Sequence, residues 1–373
     1  MGQRYVAGDF AFVSPAKAKA LQANLAKPFD LVFTQRGTLG QVALVPTSPY
    51  EEYLISQSQM KLTLDCGAAA PGYVHQYFAS ALGQKQILDS AIQTGVPHTN
   101  LGILRNYAVP MPRRVDEQEA IAAALTDADT LIDSLEQLLT KKRQIKLGAM
   151  QELLTGKRRL PGFSGQWVDG VLGAVVTELI AGVSVNSEAL EGGADVPSVV
   201  KTSAMKAGVF DPSECKPIIQ ADLARATTPL RKDTLLISRM NTPDLVGEVG
   251  YVDKDYDWLY LPDRIWMTRT RSPDSVCVRW LGYLLSSAPY KRRIGDTATG
   301  TSGSMKNIAK SALLGISVSF PAVDEQCEIA AILTEMDSEI RGLESRLTKA
   351  RALKQAMAQA LLTGRIRLVE PSA

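Results

Sequence analysis

The chain has 373 residues, with 41 Lys and Arg against 39 Asp and Glu and a formal net charge of +2. That length accommodates two ordinary domains, each with its own core. Near-neutral charge excludes a surface that is basic throughout, so any nucleic-acid footprint has to be local. With 45% hydrophobic residues, no apolar run of bilayer length and no signal-peptide core at its start, the chain reads as soluble and cytoplasmic. Cys66, Cys215, Cys277 and Cys327 form no CxxC pair, so they read as reduced, inert thiols and no zinc site is expected.

Residues 1–112 mix β-type stretches ("DLVFTQ", "QVALVP") with turn residues and one short helix. A long helix follows over 113–160. It is preceded by Pro110 and Pro112, N-capped by Asp116, and given an acidic first turn by Glu117. Gly156 is placed to end it in the left-handed conformation. Residues 161–321 repeat the mixed pattern ("DTLLIS", "GEVGYV", "RIWMTRTR"), and a second long helix over 322–368 leaves a tail of 369–373. It has the same punctuation: Pro321, Asp324, Glu325 and Gly364.

The two helices are copies. Sliding the chain by 208 residues aligns 115–160 with 323–368 without a gap, and 25 of 46 positions are identical. Each helix is about 40 residues long, roughly 60 Å at 1.5 Å per residue. Ile121, Leu125, Ala128, Ile132, Leu135 and Leu139 step by 4, 3, 4, 3, 4, and so do Ile329, Leu333, Met336, Ile340, Leu343 and Leu347. That stripe is a coiled-coil seam, with Lys146 and Lys354 falling on its continuation. The bland reading is two amphipathic helices, each lying on its own domain, but the stripe is narrow for docking on a globular core. An antiparallel pairing within one chain would relate the halves by a pseudo-two-fold axis. The expected fold is therefore α+β: two similar α/β lobes separated by two long helices that form an intramolecular antiparallel coiled coil.

Weaker echoes run through the lobes. Asp30 and Arg36 align with Asp233 and Arg239, Tyr77, Ser80 and Lys85 with Tyr283, Ser286 and Lys291, and "GVPHTNL" with "GSMKNI". On that alignment the first lobe is shorter than the second by about 37 residues at its start.

No catalytic motif is found. There is no Pro-Pro for an amino-methyltransferase loop, no GxGxxG, no Walker A and no HExxH around His75 or His98. Neither a resident cofactor nor a metal is expected, and catalysis is assigned to a partner.

DNA readout needs side chains able to form paired hydrogen bonds to base edges, with other contacts fixing register on phosphates. Gln35 and Arg36 in "FTQRG" and Arg239 and Asn241 in "ISRMN" stand at apparent strand ends. The two arginines, matched in both lobes, fit a shared structural or phosphate role as well as a base contact. Thr301, Ser302 and Lys306 in "GTSGSMKN" form a candidate phosphate loop, and Lys291, Arg292 and Arg293 in "YKRR" are further phosphate candidates. The cations of "KKRQIK" and "GKRR" also meet the negative end of the first long helix.

The duplicated "P…DEQ…IA…L…D…I…LE…L…K…LLTG" helices, with "LLISRMN…LVG" and "GTSGSMKNIAKSALLGISVSFP", resemble the specificity subunit of type I restriction–modification systems over nearly the whole chain. The resemblance implies a non-catalytic DNA-binding subunit whose lobes are target-recognition domains, each reading half of an interrupted target. It implies helices that set the spacer and dock adenine methyltransferase subunits carrying S-adenosylmethionine, and a motor-endonuclease subunit that joins for cleavage. The competing reading is a coiled-coil assembly protein whose lobes bind proteins.

Overall fold

The computed structural model describes residues 4–93, 95–188, 196–300 and 305–368. Two compact units result, Met1–Thr140 with Gly342–Ala373, and Lys141–Arg341, so both boundaries fall inside long helices. Those helices are continuous over Val115–Leu153 and Val323–Leu362.

In the first unit a three-stranded antiparallel sheet runs Val42–Leu44, Leu31–Thr34, Gln59–Leu62. Consecutive helices Pro71–Ala79 and Ala81–Asp89 pack on it. They are two helices, where the sequence reads as one, because Ser80 leaves the first with extended backbone and its hydroxyl caps the second. A β-carbon on Gly83 would lie 2.4 Å from the Tyr77 carbonyl, so only glycine lets the second helix start that close. The core collects Leu31, Phe33, Tyr73, Phe78 and Ile87. It is completed by Ile121, Ala122 and Leu125 of the first long helix and by Leu361 and Leu362 of the second.

The second unit is larger. Its six-stranded sheet runs Val176–Ala181, Ile265–Thr270, Thr234–Ser238, Val249–Val252, Gly208–Phe210, Met205–Lys206. A four-stranded sheet runs Cys215–Pro217, Ser198–Val200, Tyr256–Tyr260, Pro229–Leu230. Here too the expected single helix is a pair, Val278–Ser286 and Ala288–Asp296, broken at Ser287 and Pro289. Trp280, Leu281 and Leu285 enter a core with Leu153 at the end of the first long helix, Leu154 just beyond it, and Ile329, Ala330 and Leu333 of the second.

Within each unit the two long helices run antiparallel. In the first, Glu117, Asp129 and Glu136 pair with Arg367, Lys354 and Arg351, so partner numbers fall as the first helix advances. In the second, Lys142, Lys146 and Arg159 pair with Glu339, Asp337 and Glu325. Along the seam, Ile121, Leu125, Leu135, Leu139, Ile329, Leu333, Ile340, Leu343 and Leu347 are buried, whereas Ala128, Ile132 and Met336 are half-buried. Lys146 and Lys354 stay on the stripe because each meets a carboxylate from the opposite helix. Each helix begins one residue earlier than its expected cap, so Asp116 and Asp324 lie in the first turn. Gly156 and Gly364 have φ +69° and +73°, and beyond them the amides of Arg158 and Ile366 reach back to the carbonyls of Glu152 and Ala360.

Cys277 and Cys327, 50 residues apart in sequence, bring their thiols into contact, and burial with that contact pushes the Cys327 thiol up to about 11.

Candidate nucleic-acid interface

The DEQ motif that opens each long helix is a double fastening. In the first copy Gln118, 1% exposed, accepts from the Ala70 amide (2.8 Å) and donates to the carbonyls of Pro112 (2.8 Å) and Ala68 (3.2 Å). It thereby fixes the start of helix Pro71–Ala79 and the chain entering the long helix. In the second copy Gln326 accepts from the Cys277 amide and donates to the Pro321 carbonyl, both at 2.9 Å. The neighbouring glutamates reach the segments that follow the other long helix. Both guanidinium arms of Arg159 meet Glu325 (2.6 and 2.7 Å), and Arg367 grips Glu117 in the same bidentate way. Glu117 and Glu325 are each 1% exposed. The Arg367 hydrogen bonds hold the Glu117 carboxyl below its ordinary range.

The glutamates therefore do more than complement the helix dipole, and Arg159 does more than crowd charge at a helix end. The arginines went unread in the sequence, although a signal was present. Arg159 and Arg367 are identical across the repeat while the positions just before them change from Lys157 and Arg158 to Arg365 and Ile366.

In each lobe the central strand ends at a node made by three segments. In the first, the Gln35 amide donates to the Ser58 carbonyl (2.7 Å) and the Gln35 carbonyl accepts from Thr99 (2.9 Å). In the second, the Arg239 amide donates to Arg264 (3.0 Å) and its carbonyl accepts from Ile308 (2.9 Å). This backbone match makes Gln35 the counterpart of Arg239. Residues Phe29 and Asp233, with φ +75° and +54°, start the two strands and agree with that register. The sequence alignment of Asp30 with Asp233 and Arg36 with Arg239 is thus one residue out of register: Arg36 corresponds to Met240, and His98, not Asn100, to Asn307.

Gln35 is half-buried and Arg36 exposed, bridging to His98. Arg239 is half-buried, its guanidinium 5.9 Å from the Trp266 ring centroid and its Nε buried without a partner. Asn241 sits opposite Lys306 in a ribbon of Met240–Asn241, Lys306–Ile308 and Ala298–Thr299, and donates to the Ser238 hydroxyl (3.3 Å). Thr301 and Ser302 lie outside the described residues.

The "YKRR" cations divide. Lys291 is committed to the buried carboxylate of Glu248, which also accepts from the Ala207 amide (3.0 Å), so its role is structural. Arg293 stacks on Tyr290 and donates weakly to the Ser317 carbonyl (3.4 Å). Arg292 is exposed and has no partner among the described residues. No group of acids, histidines and cysteines able to hold a metal occurs among the described residues, and no helix there is long and apolar enough to cross a membrane.

Residues 16–146 match the type I restriction modification DNA specificity domain. A type I restriction enzyme specificity subunit of Methanocaldococcus jannaschii, MjaVIII, is 24% identical over 307 residues, spanning 79% of this chain and 70% of that protein. The crystal structure of a type I restriction–modification S subunit from M. genitalium is similar with a TM-score of 0.62 at 16% identity, over 90% of this chain and 83% of that one. A chain from a structure of complex assembly and conformational transition in the type I R-M system gives 0.50 at 18% identity, over 92% and 83%. At such identities the structures speak for the fold, and the domain match and the relative add similarity in sequence. The chain is thus similar to type I restriction–modification specificity subunits, by the domain match over residues 16–146 and by the relative and the fold over most of its length.

Proposed function

We propose that this chain supplies DNA sequence specificity to a type I restriction–modification complex and carries out no catalysis itself. Residues 1–112 and 161–321 are its two target-recognition domains, each reading half of an interrupted duplex target. The long helices, 113–160 and 322–368, set the unread spacer and dock adenine methyltransferase subunits, whose S-adenosylmethionine supplies the methyl group. A motor-endonuclease subunit completes the complex for cleavage.

The observation that carries this reading is the contrast within the repeat. The fastening residues Glu117, Gln118 and Arg367 recur as Glu325, Gln326 and Arg159, whereas the side chains at the strand-end nodes differ between lobes. A kept frame presenting two different surfaces suits a protein that reads two different half-sites. Docking is supported by Leu131 and Leu138, which stand exposed seven residues apart on the first long helix. An apolar row at that spacing fits a further helix.

The test is co-expression with a type I adenine methyltransferase subunit, followed by methylation sequencing of the host DNA. An interrupted motif with adenine methylated is expected. A heptad inserted into each long helix should lengthen the spacer by roughly three base pairs, since seven residues rise about 10 Å. Methylation without sequence preference, or a protein that captures partners but no DNA, overturns the proposal in favour of an assembly role.

A further inference from the structure

The two nodes present one backbone arrangement with different side chains, and those side chains carry the two complementary ways of reading a purine. We infer that Gln35 and Arg239 are base-reading residues of their lobes, Gln35 for an adenine and Arg239 for a guanine. This rests on the specificity-subunit reading and goes beyond it by naming positions and bases.

Four observations support it. Amide and carbonyl of both residues are tied to equivalent neighbours, so the side chain is the part free to vary. Both side chains are half-exposed at strand ends, and neither makes a hydrogen bond or ion pair among the described residues. An amide offers one donor and one acceptor, matching adenine N6 and N7, and a guanidinium offers two donors, matching guanine O6 and N7. The first node lacks the acids that would compete for such a role. Segments 35–41, 55–60, 91–93 and 95–99, which meet at the first node, contain no Asp or Glu, and they carry Gln35, Gln41, Gln57, Gln59 and Gln93. At the second node Arg264 is exposed on the segment hydrogen-bonded to Arg239, and Lys306 lies on the ribbon beside it. Packing against Trp266 stiffens the Arg239 side chain, which reduces the entropy lost when it meets a base.

Arg36, one residue on and exposed, takes the phosphate role. Lys291 is excluded by its ion pair with Glu248.

The test is methylation sequencing of the co-expressed complex with Arg239→Gln, Arg239→Lys and Gln35→Arg. Arg239→Gln should remove the preference for guanine at one position of one half-site, by about 5- to 150-fold, and leave the other half-site intact. Gln35→Arg should move one adenine of the opposite half-site toward guanine. Arg239→Lys keeps the charge and the contact with Trp266, so it serves if the glutamine variant does not fold, and it should relax the same guanine. Arg36→Ala should weaken methylation of all sequences equally. If the native complex yields an interrupted motif and the folded variants keep every base of it, the assignment fails while the specificity role stands. If the native complex yields no motif, the specificity role itself fails.

Discussion

Gln118→Met isolates the hydrogen bonds of the fastening at the start of the first long helix. Methionine fills nearly the volume of glutamine and adapts to irregular space, so no cavity term enters. What is lost is three hydrogen bonds at a residue 1% exposed. The Ala70 amide, buried at the first turn of Pro71–Ala79, is left without an acceptor, which costs about 1–3 kcal/mol. The carbonyls of Pro112 and Ala68 lose a donor each but retain a second lone pair and a route to water, adding about 0.5–1 kcal/mol apiece. The expected destabilisation is therefore about 2–5 kcal/mol. Urea unfolding followed by far-ultraviolet circular dichroism would show it as a lowered midpoint with an unchanged slope. The chain has two units, so the relevant quantity is the midpoint of the transition reporting the first unit. Gln326→Met removes two hydrogen bonds where Gln118→Met removes three, so its effect should be smaller by about 1 kcal/mol. Changes below about 0.5 kcal/mol in both variants would refute the reasoning, because they would mean the glutamines hold nothing that water does not replace.

Leu333→Ala should cost about 2–5 kcal/mol, since Leu333 is fully buried in the second core, whereas Leu353→Ala, at 61% exposed, should stay within about 0.5 kcal/mol. Thermal unfolding of the pair checks this, and equal effects would contradict the packing described for the seam. His75 is buried with its Nδ1 unpartnered, and burial, reinforced by Arg4 and opposed by Asp129, lowers its pKa from 6.5 to about 4. The unfolded chain takes up a proton below pH 6.5 that the folded chain refuses until about pH 4. Its contribution is thus complete above pH 6.5 and is lost as pH falls toward 4, by about 3 kcal/mol. His75→Gln should remove that slope from stability curves recorded between pH 7.5 and 4; an unaltered slope would show that His75 is not its source.

The scaffold was legible in the sequence because its signals are local and doubled. A seven-residue repeat of apolar positions, a cap region and a terminal glycine need only near neighbours to be recognised, and each occurred twice. What escaped was long-range. The partners of Glu117 and Glu325 lie 250 and 166 residues away, so no window of sequence could assign them. The contact between Cys277 and Cys327 is hidden in the same way. The helix pairs broken at Ser80 and Ser287 were missed for a different reason. A serine inside an apolar, helix-prone run competes only weakly with its neighbours, and tertiary packing decides whether it continues the helix or stands where a new one starts; Ser80 caps that start with its hydroxyl, whereas Ser287 turns its hydroxyl back to the Leu284 carbonyl.

The one-residue slip in matching the lobes shows why backbone equivalence resists reading from sequence. Asp30 with Asp233 and Arg36 with Arg239 is the alignment that maximises identity, and identity guides well where side chains are kept for packing. At the strand-end nodes the opposite holds: the backbone is kept and the side chain differs. Hydrogen bonds at Gln35 and Arg239 place a glutamine and an arginine at one geometric position, which an identity-based match scores as a failure. The same holds for the strand starts, where Phe29 and Asp233 share a left-handed backbone without sharing any side-chain property. Backbone equivalence without identity is therefore what singles out the positions proposed to read bases. By that criterion Gln35 and Arg239 stand apart from Glu117 and Glu325, which are equivalent and identical because their task, closing the fastening, is the same in both units.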